Sequence, residues 1–298
     1  MANELALITK YLDELDKVYK YMSKTSILDT PSSMLQKASD ANSIKIAKIA
    51  LQGLGDYDRN SGYVAGDVTL TWETHTFTQD RGRKFGVDGM DVLESLRNFG
   101  IVAGEFIRTL AIPEFDAYRM ATYYANAGTT VQADTATGAN VLLAIDAGQA
   151  VMDNAEVPED GRILFISVAQ YNLLKAAPTL YRRIGQGNDA SFNRNFETFD
   201  NMRIQKMPTS RFYNGITQYD GATPGQEAGG YIKNGEDMNF LMVHPSAVIQ
   251  LMKHNVSKTI APEANQTSDQ WMYFFRAYHD AWALENKTDG IYAHYKTT

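Results

Sequence analysis

Apolar residues recur through the first 22 positions at Leu5, Ile8, Leu12, Leu15, Tyr19 and Met22, spaced 3, 4, 3, 4, 3. That is a heptad-like seam on an amphipathic helix, with Asp13, Glu14 and Asp16 on or beside the wet face. The seam is too short for a free-standing coiled coil, so the helix is expected to dock on its own domain or on a neighbour's. Thr30-Pro31-Ser32-Ser33 breaks the pattern. Residues 43–49 (SIKIAKI) begin with strand-like alternation and predict an extended arm. Turn residues then cluster at 53–58 and 60–62. Residues 63–86 follow with Thr at 69, 71, 74, 76 and 78, interleaved with Val68, Leu70, Trp72 and Phe77. This composition predicts a long β-hairpin arm whose charged tip is 79–84, QDRGRK. A two-stranded arm this polar has no core of its own and needs another surface to lie on.

Beyond Gly89, the spacing of Leu93, Leu96, Val102, Phe106 and Leu110 predicts a long helix over 90–111, ended by Pro113, with a shorter one resuming over 117–127. A further helix is predicted over 138–154, with Val141, Ile145 and Met152 on one stripe and Gly148 leaving a gap between them. Ile163-Leu164-Phe165-Ile166 reads as a short buried strand, followed by a helix over 168–176. Residues 183–200 and 213–236 are polar and glycine-rich loops, flanking a strand over 202–207. Phe240-Leu241-Met242-Val243 is another buried strand, and Val248, Leu251 and Met252 suggest a helix from Pro245. An aromatic strand over 270–284 turns at 286–290 and is expected to pair with 291–295. There is no internal repeat. Helices and strands segregate rather than alternate as βαβ units, so the predicted class is α+β.

Composition narrows the function more than the fold. With 298 residues, 44% hydrophobic and 21% charged, the chain can bury a substantial core. Its net charge of -7 argues against a dedicated nucleic-acid binder. No cysteine is present, which excludes disulfides, thiolate catalysis and cysteine-ligated zinc. No signal-peptide pattern or membrane-length apolar run is found, so a cytoplasmic address and no membrane partner are expected.

Catalytic and ligand-binding patterns are weak. Asp56-Tyr57-Asp58-Arg59-Asn60-Ser61-Gly62 starts like a calcium loop. Its glycine falls at the seventh position, however, and Asp67 stands where a bidentate Glu would be needed, so an Asx-rich turn is the better reading. Five histidines (75, 244, 254, 279, 294) show no metal-ligand or triad spacing. His244 and His254 flank the helix expected after Pro245, too far apart along it to share an ion. Phosphate-cradling glycine patterns are absent, and no carboxylate pair stands out. No catalytic residue, cofactor or metal is assigned. Arg81, Arg83 and Lys84 form the one compact basic cluster, read either as a solvated tip or as a contact to an acidic neighbour.

The order of parts, with "IPEFDAYR" at 112–119 and "ALENKTDGIYAHYK" at 283–296, resembles the major capsid proteins of tailed bacteriophages, the Hong Kong 97-type fold. The likeness runs over nearly the whole chain. It implies an N-terminal arm (1–55), an extended loop (56–89), a peripheral domain (90–136 and 250–285) carrying a spine helix over 90–111, and an axial domain (137–249 and 286–298). It further implies a non-enzymatic shell subunit forming hexamers and pentamers that close icosahedrally around double-stranded DNA, held by weak non-specific contact. The implied setting is a virion assembled in a bacterial cytoplasm, with a portal, a separate scaffolding protein and a decoration protein as further partners. Nothing marks Lys84 as the donor of the covalent crosslink that some members form. The seam Leu5–Met22, Trp72, Phe77, Arg81, Arg83 and Lys84 are the inter-subunit contacts this reading expects. Two rivals are an encapsulin-like compartment and, from another class, a soluble hydrolase using a carboxylate pair.

Overall fold

The computed structural model describes residues 23–30, 42–88, 103–135, 137–177 and 198–297. In chain order its strands are β1 (Ser43–Leu51), β2 (Val68–Thr76), β3 (Gln79–Asp88), β4 (Thr129–Gln132), β5 (Ile163–Ser167), β6 (Thr198–Phe199) and β7 (Met202–Met207). They continue with β8 (Ile216–Gln218), β9 (Tyr231–Lys233), β10 (Met238–Val243), β11 (Val248–Ile260), β12 (Gln270–Ala283) and β13 (Ile291–Tyr295). The α-helices are α1 (Ile112–Ala125), α2 (Gly138–Asn154) and α3 (Val168–Lys175).

A six-stranded mixed sheet, ordered β4-β13-β10-β5-β7-β6, lies between α1 on one face and α2 with α3 on the other. Its central strands are buried on both faces, which explains their uninterrupted apolar runs. Ile163, Phe165, Leu241, Val243 and Ile291 point to the α1 side with Met120 and Tyr123. Leu164, Ile166, Phe240, Met242 and Tyr292 point to α2 and α3, where Val141, Ile145, Met152 and Leu174 meet them. The predicted bounds of α2 hold. Thr137 Oγ1 caps it by accepting from the Asn140 N–H at 3.3 Å. Gly148 lets it sit close, because a Cβ there would lie 2.8–2.9 Å from the Tyr292 ring.

The second sheet is three-stranded, β11-β12-β3, all antiparallel. One face packs on the helical run leading into α1: Tyr273, Phe275 and Ala277 meet Ala103, Ile107, Ala111, Ile112 and Phe115. The third feature is a two-stranded arm, β1 with β2, in register from Ser43↔Thr76 to Leu51↔Val68.

Four expectations are corrected here. The arm is a hairpin of β1 with β2 around the loop 52–67, not of two strands within 63–86. Consequently 79–84 is no tip but the first part of β3, paired with β12 along its length. Residues 248–260 form a strand, not a helix; only Pro245–Ala247 makes a 3₁₀ turn. The spacing of Val248, Leu251 and Met252 imitates a helix, but pairing with the aromatic β12 and the β-branched Val256, Thr259 and Ile260 decide the matter. Last, β13 joins β10 and β4 in the six-stranded sheet rather than returning onto β12.

Pro113 does not stop the helix. The helical run at 103–106 passes through a π-turn (Ile107–Ala111) directly into α1, the Ile112 N–H reaching back to the Ile107 carbonyl. That wider turn takes up the missing proline N–H and relieves its ring from the preceding turn. Because of it, Ala103, Ile107 and Ala111 are buried while Leu110, expected on the buried stripe, is 56% exposed. The earlier part of the predicted 90–111 helix, with Leu93, Leu96 and Val102, lies outside the described residues. So do Leu5, Ile8, Leu12, Leu15, Tyr19 and Met22.

Candidate assembly surface

The arm is fixed firmly at its base and bare beyond it. At the base, Phe77 is buried beneath Trp282 (ring centroids 4.9 Å apart) and Tyr278 (5.2 Å), with the Lys253 ammonium 5.2 Å above its ring. The Thr78 N–H and hydroxyl both donate to Asp280 Oδ2, at 2.7 and 2.9 Å, and Tyr118 donates to Oδ1 at 2.7 Å. Burial, followed by its bond to Asp280, pushes the Tyr118 hydroxyl up to about 12. Lys48 pairs with Glu285 at 2.9 Å, and His75 stacks near Trp282 at 5.5 Å. The direction of the arm is therefore set by the body of the subunit.

Past the base, the apolar side chains have nothing to cover them. Ile49, Leu51, Leu54, Tyr57, Tyr63, Val64, Val68, Leu70 and Trp72 are all at least half exposed. They make up nine of the fourteen large exposed hydrophobic residues found among the described residues, gathered on one projecting element. Covering such a side chain contributes roughly 1.5–3 kcal/mol, so a concentration of this kind marks a surface meant for a partner. The loop at the end is organised by turn chemistry: the Asn60 N–H donates to Asp58 Oδ1 at 2.8 Å, and Gly62 takes φ 82°. Hydrogen bonds from Asn60 and Ser61 hold the Asp58 carboxyl below its usual range. This is the Asx-rich turn, and among the described residues no group of three potential metal ligands occurs.

The expected contact residues fare unequally. Trp72 is half exposed on the arm, whereas Phe77 is 6% exposed and packs within its own chain. Arg81 turns inward, its Nε 2.6 Å from Glu114 Oε1 on α1. Arg83 donates to the Glu227 carbonyl at 2.9 Å and sits against Gly221 and Gly229, where a Cβ would crowd its guanidinium. Lys84 alone of the three stays on the open face of the sheet. The cluster is dispersed because β3 is a strand: successive side chains leave by opposite faces.

The sequence reading overlooked the tip residues Leu54, Tyr57, Tyr63 and Val64. Large apolar side chains inside a glycine-rich loop were the available signal. It also overlooked Asp116, which is fully buried and accepts from Ser23 Oγ (2.8 Å), Thr25 Oγ1 (2.8 Å), the Lys24 and Thr25 N–H groups (3.1 and 3.3 Å) and Arg211 Nη1 (3.2 Å). Gln250 adds a bond from Nε2 to Asp29 Oδ1 at 2.8 Å, so residues 23–30 are clamped onto α1 and β11. No helix among the described residues is long and apolar enough to cross a membrane.

No protein-family model matches the chain, and no curated protein matches it. Solved structures do. The capsid structure of cyanophage P-SCSP1u aligns with a TM-score of 0.66 at 14% identity, covering 88% of this chain and 86% of that one. The mature capsid of bacteriophage PhiM1 aligns at 0.64 and 13% identity, covering 87% and 83%. A virus-like particle from Pyrococcus furiosus aligns at 0.52 and 11% identity, covering 97% of each chain. The mixed α+β architecture of this chain is therefore the fold found in phage capsid structures.

Proposed function

We propose that the chain is the major capsid protein of a tailed, double-stranded DNA phage, a structural subunit that builds an icosahedral head from hexamers and pentamers. The observation that carries this reading is the arm: a hairpin anchored at its base, apolar along its length and uncovered, on a fold otherwise found in capsids. Its action is geometric, each arm lying over a neighbour and burying there what a lone subunit exposes. The proposed parts are an N-arm (1–55), an extended loop (56–89), a peripheral domain (90–136 and 250–285) and an axial domain (137–249 and 286–298), the Hong Kong 97-type arrangement. Sheet membership supports grouping 286–298 with 137–249, since β13 joins β5, β7 and β10, while β11 and β12 pack on the helical run into α1; β4, from the proposed peripheral part, completes the edge of the six-stranded sheet beside β13. Pairing of β1 with β2 joins the first two parts into one projecting arm. The N-terminal seam, Trp72 and Lys84 remain the proposed contacts to neighbours. Portal, separate scaffolding and decoration proteins, and DNA held weakly, are the further partners of a head assembled in a bacterial cytoplasm.

Negative-stain microscopy of the purified protein tests this directly: closed shells, rings or tubes are expected, and a monodisperse monomer under all assembly conditions would overturn it. The likeness to the Pyrococcus particle supports a second reading, an encapsulin-like compartment that packages protein. Particles isolated from the native source decide between them, because a phage head carries DNA and a compartment carries an enzyme. The hydrolase rival requires an open carboxylate pair. The buried carboxylates of α1 do not offer one: Glu114 is engaged by Arg81, and Asp116, which i,i+2 spacing turns to another side of the helix, by Arg211 and residues 23–25, which favours a structural role.

A further inference from the structure

We propose that the cavity between the helical run into α1, the inner face of β3 and the loop joining β8 to β9 binds a small apolar monocarboxylate, its carboxylate held by Arg83. The site lies within one subunit and goes beyond the shell reading, so its failure leaves that reading untouched. Alternation on β3 turns Arg81, Arg83 and Phe85 to the face that carries Tyr273, Phe275 and Ala277, toward the helix. Since β3 is the edge of its sheet, the space beneath it is closed by the loop between β8 and β9 and not by a further strand. What remains is a cavity of about 380 Å³, within the usual size of small-molecule sites. Phe85, Phe106, Phe115 and Phe275 line it, with Phe106 meeting Phe85 at 4.8 Å and Phe275 at 5.7 Å between ring centroids, both edge to face. Leu110, turned out of the core by the π-turn, lines the same space, and π-turns recur at functional sites.

Four charged side chains border the cavity, and three already have their charge answered. Arg81 and Glu114 pair at 2.6 Å, and Gln218 Nε2 also donates to Glu114 at 3.3 Å. Asp220 accepts from the Thr223 hydroxyl at 2.5 Å and from the Ala222 and Thr223 N–H groups at 2.8 Å each. Arg83 is the fourth. It donates from Nη2 to the Glu227 carbonyl at 2.9 Å, and no carboxylate stands at ion-pair distance from it among the described residues. The loop is shaped to seat this guanidinium, because a Cβ at Gly221 or Gly229 would lie 2.7 or 3.4 Å from Nη1. Arg83 is thus held at the cavity with donors to spare, in the fork geometry that suits a carboxylate. An apolar body with one carboxylate answers both the aromatic wall and the unpaired charge. A fully polar anion would leave the wall wet, and a plain hydrocarbon would leave the guanidinium without a counter-charge.

Isothermal titration of the full-length, unassembled subunit with decanoate, naphthoate and decanol tests the site. One molecule of a carboxylate probe per subunit is expected. Preference for decanoate would point to lipid-derived acids as the source, and preference for naphthoate to aromatic acids. Arg83→Gln should weaken carboxylate binding at least tenfold while leaving decanol unchanged, and Arg83→Lys, which keeps the charge, should lose less. Leu110→Trp, at an exposed position, should fill the cavity and remove binding of all three probes; circular dichroism checks that each variant folds. Failure of both carboxylates to bind would overturn the proposal, as would binding that survives in Leu110→Trp. Equal losses of decanoate and decanol in Arg83→Gln would also overturn it, because the loop and not the charge would then be what mattered.

Discussion

Replacing Asp116 with Ala should be among the most costly single changes available in this chain. Its carboxylate joins three stretches of backbone that are distant in sequence: residues 23–25, α1, and Arg211. Hydrogen bonds to a charged group contribute about 1.5–3 kcal/mol each, but five on one carboxylate share its desolvation and do not add. Removing one partner of a buried ion pair costs about 3–5 kcal/mol. The Arg211 side chain keeps 18% of its exposure and can recover some hydration, which favours the lower half of that range. Asp116→Asn should cost nearly as much, because an amide turns a donor toward groups that are themselves donors. The assay is urea unfolding of the unassembled subunit, where the midpoint should fall with little change in slope. Hydrogen exchange at the Lys24 and Thr25 amides should accelerate in the same variants, since both donate to this carboxylate. A loss below about 1 kcal/mol in Asp116→Ala would refute the reasoning, for it would mean water replaces the whole network without penalty.

Three further outcomes follow from the structure. Gly148→Ala should destabilise by about 1–3 kcal/mol in thermal unfolding despite the better helix former, because the added methyl enters the Tyr292 ring and the Met242 methyl. Burial first, then Arg119 and Arg81, depress the buried His279 imidazole to about 3, and burial also lowers His294. His279 stays neutral in the fold while the unfolded chain takes up a proton near its ordinary value of about 6.5, so stability should fall as pH drops from there toward 3, and His294 acts in the same direction. His279→Leu should flatten that fall by up to about 1.4 kcal/mol per pH unit, read as a smaller difference in melting temperature between pH 7.5 and pH 5. Trp72→Asp should leave subunit melting nearly unchanged yet prevent shell formation by light scattering; equal loss of both would show that the arm packs within its own chain.

Much of the body was legible in the sequence because its signals are local. The apolar stripe of Val141, Ile145 and Met152, with Gly148 inside it, defines α2, and the four-residue apolar runs define β5 and β10. What failed was the choice of partners. Gly82 among charged residues resembles a turn, yet β3 is held straight by pairing with β12, nearly two hundred residues later in the chain. The 248–260 segment carries a helix-like spacing that long-range pairing overrules. At the assembly surface the exposure of Trp72 could be foreseen from an arm too polar to have its own core. The burial of Phe77 could not, because it depends on Trp282 and Tyr278 arriving from the far end of the sequence.

The π-turn before Pro113 is the place where the helical run can take up a change in chain length. Its five residues turn the helix about as far as four residues of ordinary α-helix. Removing one residue from Ile107–Ala111 should therefore straighten the run while leaving Phe115, Asp116, Arg119 and Tyr123 facing the two sheets and the clamp, and it should return the Pro113 ring to the preceding turn. The same deletion within α1, with no π-turn to absorb it, would swing every later contact about a quarter-turn away. Differences in length among related chains are therefore expected in this segment and not within α1.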